Sequence, residues 1–171
     1  DATGPEKRAA PAEGALPDRI EHHVVARALG REVDRRVVDH PIGAQLGDDP
    51  PAAELHRLRI DASAKIVFLV DKNGQQIAGA GEIDQVDTTS LASLTAGNVA
   101  ATDGLAKLIG EKEFSILFHE GRKDNIHISI VGLRVILVVI FDERSSLGLV
   151  RLRVKKASQE LSQVFESIMQ K

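Results

Sequence analysis

Residues 65–82 read KIVFLVDKNGQQIAGAGE, and their pattern decides the fold. Lys65–Asp71 is a short, mostly apolar and β-branched run, the material of a strand. Asn73-Gly74 follows it, a dipeptide that tolerates the positive φ angles of a type I′ turn, so Gln75–Glu82 is the expected return strand of a hairpin. Gly79-Ala80-Gly81 lies in that second strand without the third glycine and following helix of a dinucleotide fingerprint, so a turn or close packing explains it better than a cofactor.

Downstream, Asp87 is placed to cap a helix over Thr88–Ile109 that stops at Gly110. Phe114–Asp124, Asn125–Val131 and Arg134–Asp142 read as three further strands, with Gly132 at the last turn. Ser145-Ser146 then caps a final helix. Leu147, Val150, Val154, Ala157, Leu161, Val164 and Ile168 recur three and four apart along it, the spacing of an amphipathic helix laid on a sheet rather than of a coiled coil. The order strand, strand, helix, three strands, helix predicts an α+β domain with a mostly antiparallel sheet.

Upstream the character differs. Residues before about Arg59 are rich in Ala, Pro, Gly, Asp and Arg, carry no aromatic residue, and show no sustained apolar period; Ile20–Val38 is the nearest to one, and Gly30 interrupts it. A disordered or loosely helical arm over residues 1–50 and a folded domain over 51–171 are the expectation.

Composition excludes several chemistries. There are no cysteines among the 171 residues, which removes disulfides, thiolate metal sites and cysteine nucleophiles together. A formal net charge of -3 and scarce aromatics argue against nucleic-acid binding. The longest apolar run, Val135–Phe141, is too short to span a bilayer, and residues 1–30 lack a signal-peptide core, so no membrane insertion and a cytoplasmic location are expected.

No GxxxxGK[ST] loop occurs, so any nucleotide chemistry must belong to a partner. His119-Glu120 is not part of HExxH, because Lys123 stands where the second histidine would be. His22-His23 and His40 lack matching carboxylates, and His119 and His127 read as strand-surface residues rather than ligands or general bases. With no GxSxG elbow either, no catalytic residue, metal site or cofactor is expected. Arg151, Arg153, Lys155 and Lys156 form a basic cluster early in the last helix, fitting a solvated face or an acidic partner. Arg122, Arg134 and Arg144 are the loop or strand-end candidates for an arginine finger, and nothing in the sequence singles one out.

On a wheel of about 100° per residue, Leu91, Leu94, Asn98, Ala101, Leu105, Leu108 and Ile109 fall on one side of the Thr88–Ile109 helix, which is expected to pack on the sheet. Ala92, Ser93, Ala96, Ala100, Asp103, Gly104 and Lys107 fall on the other, where long polar side chains would be usual. Gly97 and Gly104 each cost about 1 kcal/mol of helix stability relative to alanine. Small residues permit close backbone approach, by a second helix of the same chain or of another copy, or by a separate protein.

Asp87–Phe114 (DTTSLASLTAGNVAATDGLAKLIGEKEF), Phe118–Gly132 (FHEGRKDNIHISIVG), Leu137–Ser158 (LVVIFDERSSLGLVRLRVKKAS) and Lys65–Gln75 (KIVFLVDKNGQ) together resemble the Roadblock family, and within it the MglB-type regulators. The likeness covers nearly all of residues 64–171. It implies a profilin-like, five-stranded antiparallel sheet with the central helix on one face and terminal helices on the other. It also implies a homodimer paired through the third strand, around Ile116, Phe118 and His119. The partner implied is an MglA-type small Ras-like GTPase seated on the central helices at Ala96, Ala100, Gly104 and Lys107, whose GTP hydrolysis the dimer stimulates in bacterial polarity and gliding motility. Such proteins are not expected to donate an arginine finger or to hold an active site of their own; a scaffold that leaves hydrolysis unchanged is the competing reading. A small-molecule sensor on the same sheet would need aromatic and polar pocket material, for which five phenylalanines and no tyrosine or tryptophan are poor stock. The family's first helix should precede Lys65, where Pro50-Pro51 and AAELHRLRIDASA leave room for only a short one.

Overall fold

The computed structural model describes residues 50–132 and 135–169, so the arm expected over 1–50 lies outside the described residues except for Pro50. Helix α1 spans Pro50–Asp61, strands β1 and β2 Ile66–Asp71 and Gln76–Gly81, helix α2 Thr88–Leu108. Strands β3, β4 and β5 follow over Ile116–His119, Asn125–Val131 and Val135–Phe141, and helix α3 over Leu147–Met169. The strands form one five-stranded sheet in the order β2-β1-β5-β4-β3, with every neighbouring pair antiparallel. The α+β expectation holds, and the short helix before Lys65 is present with 12 residues, opened by prolines whose missing amide hydrogens cost a helix nothing in its first turn.

The middle of the sheet is covered on both sides, which is why KIVFLVD and VILVVIF carry no polar alternation. Every residue of β1 and β5 is buried. Val67, Leu69, Leu137, Val139 and Phe141 face α1 and α3, where they meet Leu55, Leu58, Val150, Val154, Leu161 and Phe165. Ile66, Phe68, Val70, Ile136, Val138 and Ile140 face α2. Period-two alternation therefore divides the core into two apolar layers with the sheet between them.

Local signals hold where a side chain fixes the backbone. Asp87 accepts a hydrogen bond from the Ser90 amide at 3.1 Å, and Ser146 Oγ accepts one from the Leu149 amide at 3.2 Å, each capping its helix as expected. Two details differ. The β1–β2 turn is not type I′: Asn73 keeps a negative φ, Gly74 alone takes +84°, and the Gly74 amide donates to the Asp71 carbonyl at 3.0 Å. Asp71 Oδ1 also accepts from the Asn73 and Gln75 amides at 2.9 Å each, so the aspartate, rather than the Asn-Gly pair, organises the loop.

β3 is the second difference, with four residues in place of the eleven of Phe114–Asp124. Its C-terminal half is a turn, in which Asn125 Oδ1 accepts from the Gly121 amide at 3.1 Å and the Asp124 carbonyl packs directly over Gly121. Glu120–Lys123 thus closes the β3–β4 hairpin. Among the described residues no helix is long and apolar enough to cross a membrane.

Candidate functional site: the outer surface of helix α2 and the edge strand β3

Helix α2 does not carry the two faces expected of it. Its buried residues are Ala92, Thr95, Ala96, Val99 and Ala106, of which Ala92, Ala96 and Val99 lie on the large side chains of β1, β4 and β5. Of the leucine side assigned to the sheet, Leu91 packs on the sheet layer as expected, but the rest points outward: Leu94, Leu105, Leu108 and Ile109 are 72%, 57%, 83% and 70% exposed. Volume explains the reversal. The sheet supplies Phe68, three isoleucines of β1 and β5 and two valines, so only small helix residues fit between backbone and sheet at native packing density. Apolar residues surround this helix, and a wheel cannot tell a buried apolar stripe from an exposed one.

The outward surface consists of two parallel stripes. Leu94, Asn98, Ala101, Leu105 and Leu108 recur four and three apart, the spacing of a helix–helix seam. Ser93, Gly97, Ala100, Gly104 and Lys107 run beside it with the same spacing, and all five are exposed. A methyl group added at Gly97 or Gly104 would meet nothing within 4 Å, so neither glycine is required by the packing of its own chain. Of the four positions proposed from sequence on this helix, Ala100, Gly104 and Lys107 share the outer stripe. Ala96 does not: at 8% exposure it belongs to the layer against the sheet.

β3 is the last strand of the sheet on the β4 side, leaving one row of its backbone groups without a strand partner among the described residues. Ile116 is exposed at that edge. Phe118 turns toward α3 and stacks on Phe141 with ring centroids 6.2 Å apart, so its ring belongs to the core while its backbone belongs to the edge. His119 projects to the opposite face and meets α2, its Nε2 lying 2.8 Å from Asn98 Nδ2. The leucine stripe of α2 and the strand edge are thereby joined into one surface.

Two buried titratable groups with large shifts lie elsewhere, under α1 and α3. His127 is not a strand-surface residue as expected: it is fully buried, and neither ring nitrogen has a hydrogen-bond partner. Burial, with the Arg151 charge adding to it, pushes its pKa down to about 4 and keeps it neutral. Glu54 on α1 is also buried. Loss of solvent, then the hydrogen bond and charge of Glu160 on α3, raise its carboxyl to about 7 against the opposing pull of Arg57 and Lys156. Arg57 Nη1 donates to Glu54 Oε2 at 2.9 Å. Among the described residues no three His, Asp or Glu side chains gather to hold a metal ion.

The arginines divide as well. Arg144 is committed to its own chain: its Nε donates to Asp142 Oδ1 at 2.9 Å, its Nη2 forms an ion pair with Glu82 Oε1 at 3.7 Å, and the bond to Arg144 lowers the Asp142 pKa. Arg122 is exposed on the β3–β4 turn, and Arg134 lies outside the described residues.

A two-layer core, one helix with a double outer stripe and an edge strand continuous with it describe the domain, and the Roadblock/LC7 domain model matches residues 54–141. The chain belongs to the Roadblock/LC7 family and has its profilin-like fold. Within that family it is similar to MglB from Myxococcus xanthus, with 69% identity, a TM-score of 0.65, and coverage of 67% of this chain and 94% of that one. The gliding protein MglB from Thermus thermophilus shares 32% identity at a TM-score of 0.67, covering 74% of this chain and 95% of its own. A structure of MglB with a tetrameric arrangement shares 30% identity at a TM-score of 0.66, over 74% of this chain and 94% of that one. No curated protein sequence matches the chain.

Proposed function

We propose that the chain is a regulator of the MglB type. As a homodimer in the cytoplasm it binds an MglA-type small Ras-like GTPase and stimulates GTP hydrolysis, in the setting of cell polarity and gliding motility. The observation that carries this reading is the pair of stripes on α2. One is a leucine seam suited to a second α2, and the other is a flat strip of small residues suited to close approach by a different protein.

The dimer uses what a monomer leaves open. Two β3 edges pair into a continuous ten-stranded sheet, and the leucine stripes of two α2 helices meet above the junction with Asn98 inside the seam. A polar residue in an otherwise apolar seam fixes register. Ser93, Gly97, Ala100, Gly104 and Lys107 of both copies then border one platform.

The chain has no phosphate-binding loop, and in this reading the catalytic groups are the GTPase's own. Acceleration then comes from binding one arrangement of the GTPase better than another, since a partner shifts an equilibrium only by its difference in affinity for the two states. The small stripe provides that selectivity through shape: a flat surface accepts the switch arrangement that matches it and excludes those that protrude.

The test is GTP turnover by an MglA-type protein with and without the full chain. Turnover should rise saturably with dimer concentration. Binding with unchanged turnover would instead leave a non-catalytic Roadblock scaffold.

A further inference from the structure

On the side of the sheet opposite α2, the first three turns of α3 carry an unusual charge pattern. Arg151, Arg153, Lys155 and Lys156 fall within six residues, and no acidic residue occurs between Ser145 and Gln159. Arg151 and Lys155, one turn apart on the helix, repel each other. Among the described residues no carboxylate lies within the 4.0 Å of an ion pair from Arg151, Arg153 or Lys155; Lys156 reaches Glu160 at 4.0 Å. In the middle of these charges Leu152 stands 63% exposed.

Folding does not call for this arrangement. The apolar face of α3, from Val150 through Val154, Ala157 and Leu161 to Phe165, is already buried on the sheet. Arg151 also adds to the disfavoured protonation of the buried His127, so it brings its own core no favourable charge contact. A cluster that weakens its own helix and surrounds an exposed leucine has the electrostatics of a surface completed by something acidic.

We propose that the outer face of α3, formed by Arg151, Leu152, Lys155 and Lys156, docks an acidic protein segment that sets carboxylates against the cations and one apolar side chain against Leu152. Charge complementarity selects the partner's sign, and Leu152 selects a segment with an apolar residue among its acids. A lipid surface fits less well, because interfacial helices bury a broad apolar face and here that face is spent on the sheet. The surface is separate from α2 and β3, so the proposal does not depend on the dimer or on the GTPase.

A fluorescein-labelled peptide EDLEELDEDLEE tests it by anisotropy with the full chain at 50 and 300 mM NaCl. Binding should weaken at least tenfold in the double variant Arg151→Glu, Lys155→Glu, and measurably in Leu152→Ser at the higher salt. Both variants change exposed residues and should melt close to the parent, since in the double variant one like-charge pair one turn apart is exchanged for another. Unchanged affinity in the double variant overturns the proposal. So does equal binding of a control peptide with serine in place of every leucine, which would reduce the face to non-specific charge. Sedimentation with phosphatidylglycerol vesicles in the absence of peptide binding overturns it in favour of a membrane surface.

Discussion

Asn98 of α2 and His119 of β3 meet at 2.8 Å, and this single contact ties the central helix to the edge of the sheet. In the isolated protomer it is solvent-exposed and contributes only about 0.5 kcal/mol, the low end for a hydrogen bond. In the proposed dimer both residues lie in the contact surface. Asn98→Ala should therefore leave the melting temperature nearly unchanged at concentrations where the chain is monomeric, yet shift the monomer–dimer equilibrium toward monomer by several-fold. Sedimentation equilibrium across a concentration series measures this, and an unaltered dissociation constant would place Asn98 outside the seam.

Ala96 and Ala100 are one turn apart and should behave oppositely. Ala96→Leu forces extra volume between α2 and the sheet, which costs about 1–3 kcal/mol, and thermal melts should show it. Ala100→Arg and Gly104→Arg add their side chains to open surface and should fold with parental stability while losing GTPase association. Gly104→Ala should stabilise the chain by about 0.5–1 kcal/mol, since a new methyl group there meets nothing within 4 Å. Full GTPase binding by both arginine variants would remove the small stripe from the interface.

Leu105, 57% exposed, belongs to the other stripe. Leu105→Asp changes a surface position and should alter protomer stability by no more than about 0.5 kcal/mol. Light scattering after gel filtration should nevertheless report a monomer. A dimer of parental mass would show that the leucine stripe is not the seam.

Acid sensitivity has two opposed sources. His127 has its pKa lowered to about 4, against about 6.5 in the unfolded chain, so the unfolded state binds the extra proton between these values. Its effect is absent above pH 6.5 and destabilises progressively down to pH 4, by up to about 3 kcal/mol. Glu54, raised to about 7 from 4.5, acts in reverse: the folded state holds the proton, and stability present below pH 4.5 is lost as the pH rises toward 7. The two offset each other between pH 4.5 and 6.5. His127→Leu should unmask the Glu54 dependence, so that this variant, unlike the parent, melts higher at pH 5 than at pH 7. Parallel melting curves for parent and variant would contradict the burial of an uncharged ring.

Element order was legible because turns, caps and strand runs are local. Asp87, Ser146 and the KIVFLVD run each act within a few residues of themselves, and the structure places them as read. The orientation of α2 was not legible, because it depends on which element supplies the volume between helix and sheet. Phe68, Ile136 and Ile140 decide that from distant parts of the chain. The four-and-three spacing from Leu94 to Leu108 could have signalled a helix–helix seam, but a sheet-facing helix was the simpler assignment. His127 was misplaced for a related reason: its face of β4 lies under α3, and the docking of that distant helix removes it from water. Of the α2 positions named from sequence, Ala100, Gly104 and Lys107 share an open surface, whereas Ala96 was lost with the wheel.

The shortness of β3 has a consequence for how far assembly can proceed. An open edge strand is a template that any extended chain could lengthen, and a four-residue edge offers few rungs to a foreign one. Pairing about a two-fold axis would use both such edges at once and leave β2 outermost at either end, where β2 carries a register irregularity against β1 and ends at Gly81 with φ +104°. An assembly of this kind terminates at two copies along the sheet instead of growing into a fibre.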